Sequence, residues 1–405
     1  MNKKETNVIE QPRIVLHVVG RLDIGGAESR IMDLYRNIDR EKVQFHFMQH
    51  TSDKCAFEDE VISLGGKVYH VPRFNVKNYF EYKKAWKKFF IGHPEITVVH
   101  GHMTSTAAIY LPIAKKAGVK ITIAHARSAG VDPGVKGKIT NFLRRNLYKK
   151  SDYRFTCSRL AGDAVFGDQR EEKRKAKFIP NAIDVDKFAF DMNIRESIRQ
   201  ELGIENKFVV GHVGRFAPMK NHSYMLEILE QCMKLEQEKN LPETVMMFLG
   251  DGPLKEEIQQ KATEMGIASR ILFMGNKKDV YRYYQAMDYF LLPSFYEGLP
   301  GTAIEAQASG LPGIISDAVT QEAVVTNLME LRSVKEDAHI WAEIIMEENR
   351  KQQCTEKSDI IEENNSITVT RSKYADEVKK AAFDVKEQAK KMEDFYLSGK
   401  GLPNE

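Results

Sequence analysis

Short apolar runs alternate with longer helical stretches along the chain. RIVLHVVG at 13–20 is the first continuous apolar run, of the kind that a buried parallel strand shows. A helix is predicted after it, from about Ala27 to Asn37. Further strand candidates stand at 43–49, 67–72, 96–100, 119–125, 153–157 and 176–179. This alternation predicts an α/β sheet with helices on both faces.

The pattern relaxes into polar and charged sequence between Asp186 and Asn206 and then begins again. The new apolar runs stand at 207–214, 245–250, 270–275, 288–293 and 312–316. The sequence therefore predicts two Rossmann-like doubly wound domains joined near residue 190. They are expected to face a cleft, where α/β proteins of this kind bind ligands.

Composition fits such a chain. The 405 residues are 42% apolar, which is enough for two domains with separate cores. The four cysteines form no paired spacing, so the sequence indicates neither a zinc site nor a disulfide framework, and a reducing cytoplasmic setting is expected. Met1–Gln11 lacks the apolar core of a signal peptide, and no apolar run approaches the roughly 20 residues of a spanning helix.

Pro293–Asp317, PSFYEGLPGTAIEAQASGLPGIISD, is the most informative stretch. Pro293 ends an apolar run, GLPG forces a turn, and helix formers follow at 303–308. Such a loop leaves helical N–H groups unpaired, which suits a phosphate. Glu305 is predicted on the first turn of the helix, where it can accept hydrogen bonds from a diol such as ribose, and Glu297 lies in the preceding loop. A capped helix with two surface glutamates is the simpler interpretation.

Glu297 and Glu305, with seven residues between them inside PSxYEGLP…EAQASGLP, resemble the paired-glutamate motif of retaining GT-B glycosyltransferases of the large family 4 group. The residues EGLP…IEAQASGLP are most similar to the bacterial capsular and exopolysaccharide branch of that family. The resemblance implies the GT-B fold, with an acceptor-binding domain at 1–188, a donor-binding domain at 189–374 and a last helix at 375–405 that returns to the first domain. The helical tail at 374–397 carries a suitable apolar stripe, which consists of Val385, Ala389, Met392 and Tyr396.

Three motifs of the first domain share the resemblance. Gly25 and Gly26, in GGAE, suit a close approach to the donor phosphate, although a plain turn also explains them. His125, in AHARS, is similar to the family's histidine near the donor sugar, although a histidine at a strand end is often structural. His100 and His102, in VVHGHMTS, are interpreted as lining the acceptor side.

The second domain offers a cationic pair. Arg215 and Lys220, in GHVGRFAPMKNH, match the arginine and lysine that hold the donor diphosphate in this family; without that context they are surface charges. Asn276 falls where the family builds its nucleotide-base pocket, as does GDGP at 250–253. Gly301 and Thr302 are assigned to the phosphate-binding turn, although relatives commonly have apolar residues there.

The resemblance implies a retaining glycosyltransferase of exopolysaccharide or capsule synthesis. It would move a sugar from a nucleotide-diphosphate sugar, a UDP-sugar, to a hydroxyl of a lipid-diphosphate-linked glycan. The expected catalytic residues are Glu297, His125, Arg215 and Lys220. No cofactor and no metal are expected, because no third ligand stands near His100 and His102 in sequence. The alternatives are a sugar-nucleotide epimerase or phosphorylase on the same fold, and a non-catalytic sugar-binding protein.

The net charge of +3 hides a local basic excess, because residues 61–150 hold 17 basic and 3 acidic residues. YFEYKKAWKKFF at 79–90 and VKGKITNFLRRNLYKK at 135–150 supply much of it. Both interleave apolar with basic residues, the pattern of a helix on an anionic membrane surface; a solvated helix packed on the core is the alternative. Nucleic acid is a weaker interpretation, since no binding motif accompanies the charge. The expected location is cytoplasmic, peripherally on the inner face of the cell membrane.

Overall fold

The computed structural model describes residues 11–128, 130, 134–357 and 367–400, so the polar residues 1–10 discussed above lie outside it. The chain divides into two compact units, the first with residues 1–182 and 385–405 and the second with residues 183–384. The sequence had assigned 183–188 to the first domain and 375–384 to the returning helix. The structure groups both segments with the second unit, since the short helix at 185–188 and the end of the helix at 367–380 pack there.

The first unit contains a parallel sheet, seven-stranded among the described residues, in the order β3-β2-β1-β4-β5-β6-β7. The longer strands β1, β2, β4 and β5 are largely buried and mostly apolar because helices cover both faces of the sheet. The strands are β1 (Arg13–Val19), β2 (Val43–Gln49), β3 (Val68–His70), β4 (Ile96–Gly101), β5 (Ile121–Ala126), β6 (Tyr153–Thr156) and β7 (Lys177–Phe178). The helices are α1 (Gly26–Asn37), α2 (Glu58–Ser63), α3 (Tyr79–Gly92), α4 (Thr104–Lys116), α5 (Val135–Arg144) and α6 (Arg159–Phe166).

The second unit contains a parallel sheet of six described strands in the order β10-β9-β8-β11-β12-β13. The strands are β8 (Phe208–Val213), β9 (Thr244–Leu249), β10 (Ile271–Gly275), β11 (Tyr289–Leu292), β12 (Gly313–Ser316) and β13 (Met329–Arg332). The helices are α7 (Val185–Phe188), α8 (Met192–Leu202), α9 (His222–Lys239), α10 (Lys255–Glu264), α11 (Val280–Ala286), α12 (Gly301–Ala308), α13 (Ala338–Lys357) and α14 (Ile367–Lys380).

Both predicted sheets are confirmed, and twelve of the strands fall where the sequence placed them. Sequence analysis missed β13, which reads MELR, is four residues long and lies at the sheet edge. Its charged side chains give no apolar run, as is common for an edge strand.

The last helix, α15 (Val385–Ser398), belongs to the first unit. The predicted helical tail is interrupted, because α14 ends before Ala382, which has a left-handed φ of 67°. The predicted apolar stripe of α15 is buried in the core of the first unit, where it contacts α1, β1 and β2. The guanidinium of Arg13 donates to the carbonyls of Tyr396 and Leu397 at 3.0 and 2.7 Å, which satisfies backbone acceptors at the helix end.

Asp288, immediately before β11, is a buried carboxylate of the second unit. Its carboxylate accepts from Arg195 at 2.5 Å, from Arg199 at 3.0 Å and from the backbone N–H of Val209 at 2.8 Å. Burial acts to raise the pKa of Asp288, but the two arginines outweigh it and hold the pKa below its ordinary value. The carboxylate therefore stays ionised and ties α8 and β8 to the start of β11.

We expect Asp288→Ala to lower the free energy of unfolding of the second unit by about 3–5 kcal/mol, because it leaves two arginines buried without their carboxylate. The matched control is Asp279→Ala, which removes only a partly exposed pair with Arg282 and should cost less than about 1 kcal/mol. Urea unfolding measures both. Equal losses in the two variants would contradict the assignment.

Candidate functional site

The strand order of the second unit has its switch point at β8, which pairs with β9 on one side and with β11 on the other. The loops that leave the carboxyl ends of β8 and β11 are therefore neighbours. They are joined directly, since the N–H of Phe295 donates to the carbonyl of Met219 at 2.8 Å. Ligands of open α/β sheets bind at such a switch point.

Glycines allow these loops to approach each other closely. Gly250 has a φ of 140°, and a Cβ built on it would lie 2.0 Å from the carbonyl oxygen of Gly214. No other residue fits there without moving the backbone. GDGP at 250–253 thus packs against the segment that carries Arg215.

Lys220 and Glu297, predicted separately, form an ion pair with each other. The hydroxyl of Ser294 donates to the same Glu297 oxygen at 3.1 Å. Both members of the pair are largely buried, and Lys220 lies over Gly214, whose added Cβ would be 3.2 Å from Lys220 Cε. The pair places an ammonium and a carboxylate together at the switch point, so an incoming anion would compete with Glu297 for Lys220.

Arg215 and Asn276 are exposed at the carboxyl ends of β8 and β10. Arg215 forms no ion pair with any residue that the structure describes. Its guanidinium is therefore available to a ligand at this edge of the sheet.

The turn before α12 differs from the prediction in one respect. The helix begins at Gly301, two residues earlier than the helix formers indicated, so Glu305 lies on its second turn rather than its first. Glu305 is only 5% exposed, and the hydroxyl of Tyr284 donates to its Oε2 at 2.8 Å. The first turn instead presents Gly301 and Thr302. Among the residues that the structure describes, no side chain caps this turn, and the buried Thr302 hydroxyl has no hydrogen-bond partner. This turn suits a phosphate.

In the first unit, Gly25 is the N-cap of α1 and Gly26 is its first residue. A Cβ on Gly25 would lie 2.5 Å from Oε2 of Glu28, whereas a Cβ on Gly26 would meet open space. Burial raises the pKa of Glu28. A side chain at 25 would displace only the flexible end of Glu28, and the space at 26 allows a ligand to approach the helix N-terminus.

His125 lies near the carboxyl end of β5 and is fully buried. Its Nδ1 is 3.0 Å from Nε2 of His100, and His100 Nδ1 is 2.7 Å from the hydroxyl of Tyr396 on α15. His125 Nε2 has no hydrogen-bond partner among the described residues. The prediction that His100 lines the acceptor side is wrong, because His100 is buried between Tyr396 and His125.

A second chain of contacts runs beside the first. Arg127 Nε donates to His102 Nδ1 at 3.3 Å, and His102 Nε2 is 3.0 Å from His17 Nδ1. Arg127 Nη1 donates to Asn181 at 2.8 Å. Burial lowers the pKa of Arg127 to about 10 and, with the charge of Arg127, lowers the pKa of His17, His102 and His125 well below the ordinary value. The imidazoles are therefore neutral at pH 7.

His17, His100 and His102 bring possible ligand atoms within 4.8 Å of one another. These nitrogens already bond to each other, to Arg127 or to Tyr396, and the charge of Arg127 opposes a cation. The arrangement fits a hydrogen-bonded cluster better than a metal site.

The two predicted surface stretches form α3 and α5, and both helices contact α4. Phe80 is 83% exposed and Phe142 is 75% exposed, and Lys84, Lys87, Lys88, Lys138 and Arg145 are exposed beside them. Arg144 differs, because it is partly buried and donates to the hydroxyl of Thr104 at 2.8 Å. Between α4 and α5 lies a cavity of about 460 Å³, lined partly by Phe142, Arg145 and Lys150.

A larger cavity of about 670 Å³ lies at the opposite edge of the second sheet, where Tyr289, Gly313 and Met329 begin β11, β12 and β13. It is lined by glutamates that pair locally with basic residues. The switch-point loops do not line it. We therefore place the candidate site at the carboxyl edge of the sheet.

Sequence reasoning missed five side chains that contact the predicted site residues or the histidine cluster. They are Tyr284, which holds Glu305; Ser294, which holds Glu297; Arg127 and Asn181; and Tyr396. AHARS contains Arg127, so a charge two residues after His125 was a usable signal. The other contacts join residues distant in sequence and give no periodic pattern, apart from Ser294, which stands three residues before Glu297 inside the quoted motif.

The chain has two Rossmann-like units with parallel sheets, and the switch point of the second unit carries cations and a turn that suits a phosphate. These features define a class of two-domain α/β proteins that bind nucleotides. Comparison with known proteins gives the particular family. The family model "Glycosyltransferase Family 4" matches residues 24–187, and "Glycosyl transferases group 1" matches residues 194–380. The chain belongs to the family 4 group of GT-B glycosyltransferases and is therefore a glycosyl-transferring enzyme.

Individual relatives agree with this family. The putative glycosyltransferase EpsF of Bacillus subtilis (strain 168) is 32% identical over 336 residues, which are 82% of this chain and 86% of EpsF. The UDP-Gal:alpha-D-GlcNAc-diphosphoundecaprenol alpha-1,3-galactosyltransferase of Escherichia coli is 30% identical over 249 residues, 58% of this chain and 63% of that enzyme. In fold, the chain is similar to Anabaena Alr3699/HepE in complex with UDP-glucose, with a TM-score of 0.75, 19% identity and coverage of 96% and 100%.

Among the residues that the structure describes, every helix is too short or too polar to cross a membrane.

Because of the histidine cluster, we expect the free energy of unfolding to decrease as the pH is lowered. In the unfolded chain each histidine takes up a proton near pH 6.5, whereas the buried imidazoles resist protonation until a lower pH. Since the unfolded state then binds more protons, the stability present above pH 6.5 is lost as the pH falls. We expect His100→Gln to reduce this slope by about one proton, or about 1.4 kcal/mol per pH unit.

Urea unfolding between pH 5 and 7.5 measures the slope. His339→Gln is the control, because His339 is exposed on α13 and should leave the slope unchanged. Identical slopes in wild type and His100→Gln would contradict the prediction.

Proposed function

We propose that the protein transfers a sugar from a UDP-sugar to a hydroxyl of a lipid-diphosphate-linked glycan, with retention of configuration. The observation that carries the proposal is the Lys220–Glu297 pair at the switch point, beside the uncapped first turn of α12. The UDP-glucose complex of HepE and the UDP-Gal and diphosphoundecaprenol named for the Escherichia coli relative support this choice of donor and acceptor. The motif at 293–317 supports a role in exopolysaccharide or capsule assembly.

The contacts of Lys220 suggest how the donor is received. A diphosphate brought to the switch point would replace Glu297 as the partner of Lys220 and would accept from Arg215 and from the first turn of α12. Glu297, released from Lys220, could then accept hydrogen bonds from the sugar hydroxyls. Before the donor binds, the ion pair thus gives both buried charged groups a partner and holds them at the switch point.

In the reaction, the bond between the anomeric carbon and the phosphate oxygen breaks, and a bond to the acceptor oxygen forms on the same face. The acceptor proton passes to the departing phosphate oxygen. Arg215, Lys220 and the α12 N–H groups stabilise the charge that develops on the phosphate, and each charge-assisted hydrogen bond contributes about 1.5–3 kcal/mol. Glu305, which accepts from Tyr284, would also accept hydrogen bonds from the nucleotide ribose.

The test is a transfer assay with a panel of UDP- and GDP-sugars and a lipid-diphosphate glycan, with product analysis. We expect Arg215→Ala and Lys220→Ala to lower turnover at least about tenfold, because each removes more than about 1.4 kcal/mol from the transition state. Lys239→Ala, at the far end of α9, is the matched control and should be neutral. Activity is expected to persist in a strong chelator, since no metal takes part in this proposal.

The other outcomes are also informative. Donor conversion without an acceptor would indicate an epimerase, release of a sugar phosphate would indicate a phosphorylase, and binding without turnover would indicate a sugar-binding protein. Near-normal turnover in both variants would remove Arg215 and Lys220 from the site.

We further propose that the exposed face of α3 and α5 binds the inner surface of the cell membrane. Phe80 and Phe142 are exposed among lysines and arginines, which suits insertion between anionic headgroups. At about 1 kcal/mol per basic residue near the surface, five residues suffice for reversible, salt-sensitive binding.

We expect co-sedimentation with anionic but not neutral vesicles, reduced when Lys84, Lys87, Lys88, Lys138 and Arg145 become Gln. Arg144 is left unchanged because it bonds to Thr104. A control with the same charge loss changes Lys173, Lys175, Lys239, Lys351 and Lys390, which are exposed elsewhere. Equal loss of binding in both sets would show that net charge, and not this face, attracts the vesicles.

A further inference from the structure

Tyr396, His100 and His125 form one linear chain of hydrogen bonds inside the first unit. The hydroxyl of Tyr396 is 2.7 Å from His100 Nδ1, and His100 Nε2 is 3.0 Å from His125 Nδ1. All three side chains are buried, and His125 Nε2 ends the chain without a partner among the described residues. Because each neutral imidazole carries one proton on one of two nitrogens, the direction of the first bond fixes all the others.

The Tyr396 hydroxyl has two possible directions. If it donates to His100 Nδ1, its proton is satisfied, and the single unpaired donor of the chain is the N–H at His125 Nε2. If it accepts instead, the hydroxyl proton has no acceptor among the described residues, and His125 Nε2 becomes an unpaired acceptor as well. A buried donor without a partner costs free energy, so the first direction is the more stable.

The neighbouring chain shows the same sense of direction. Arg127 can only donate, so His102 Nδ1 accepts and His102 Nε2 carries the proton toward His17 Nδ1. His17 Nε2 must then carry a proton too. Two parallel chains of imidazoles thus begin at a donor, Tyr396 or Arg127, and end in an N–H.

We propose that Tyr396, on the last helix, is a positioning residue that acts through His100 to hold His125 as the Nε2–H tautomer. This inference rests on the proposed function together with the family resemblance, which assigns His125 to the donor sugar. His125 then recognises an oxygen lone pair, of a sugar hydroxyl or a phosphate, as a neutral hydrogen-bond donor. It does not remove a proton from the acceptor, which leaves the phosphate oxygen to do so.

The direct test is the tautomeric state of His125 in the full-length protein at neutral pH and without substrate. Two-bond hydrogen–nitrogen correlation spectra of protein with ¹⁵N-labelled histidine distinguish the protonated from the unprotonated ring nitrogen, and His125→Gln identifies the signals. We expect the wild-type proton on Nε2. A proton on Nδ1 overturns the proposal, whether or not the protein transfers sugar.

Tyr396→Phe tests the role of the hydroxyl. Without that donor, both directions of the His100–His125 bond leave one unpaired donor and one unpaired acceptor, so we expect a mixture of tautomers. The kcat/KM of sugar transfer should then fall about twofold or more, because only part of the protein presents the N–H to the donor.

Tyr35→Phe is the matched control. Tyr35 is buried in the same core, also packs on Phe45, and its hydroxyl bonds to Gln44 and Leu64 outside the histidine chain. We expect it to lower stability without changing the His125 spectrum. An unchanged spectrum in Tyr396→Phe, or an equal change in Tyr35→Phe, overturns the proposal; a changed spectrum in a protein that transfers no sugar refutes only the proposed function.

Discussion

The second unit depends on one buried carboxylate, that of Asp288, because a buried charge must be compensated by partners. Its two arginines come from α8, and its third partner is the first part of β8, so helix and strand are fixed to the point where β11 begins. Strand β11 leads directly into the loop of Ser294 and Glu297, and then into α12. The position of the candidate donor site therefore depends on an interaction at the opposite end of the same strand.

The first unit meets the same requirement without a carboxylate. Among its buried polar residues are imidazoles linked to each other, to a tyrosine and to one arginine. Burial is the main cause that holds the pKa of these imidazoles low and keeps them unprotonated, and the charge of the arginine adds to it. In each unit the polar groups at the carboxyl edge are thus held by bonds made deeper in the fold. Such support keeps functional side chains in one geometry before a ligand arrives.

The fold was predictable because parallel strands covered on both faces must be continuous apolar runs; only β13, short, charged and at an edge, escaped. The positions of Arg215, Lys220 and Glu297 were predictable from their motifs. The Lys220–Glu297 contact was not, since it joins two loops 77 residues apart in sequence. Tyr396 was recognised only as part of an apolar stripe, because periodicity reports which face is buried and not what a hydroxyl touches. Glu305 was misplaced by one turn because a helix can begin with Gly and Thr when its first turn is left uncapped.

The chain order of the first unit has a consequence for biosynthesis. Its core is completed by α15, yet the ribosome makes residues 183–384 between β7 and that helix. At about 5–20 residues per second, this takes on the order of 10–40 s, during which the nascent first unit lacks the apolar stripe that covers β1 and β2. The second unit is itself complete only when that interval ends, since the N–H of Ile183 at its start donates to the carbonyl of Phe383 at its end. Synthesis of α15, rather than emergence of the first sheet, is the event that completes the core of the first unit.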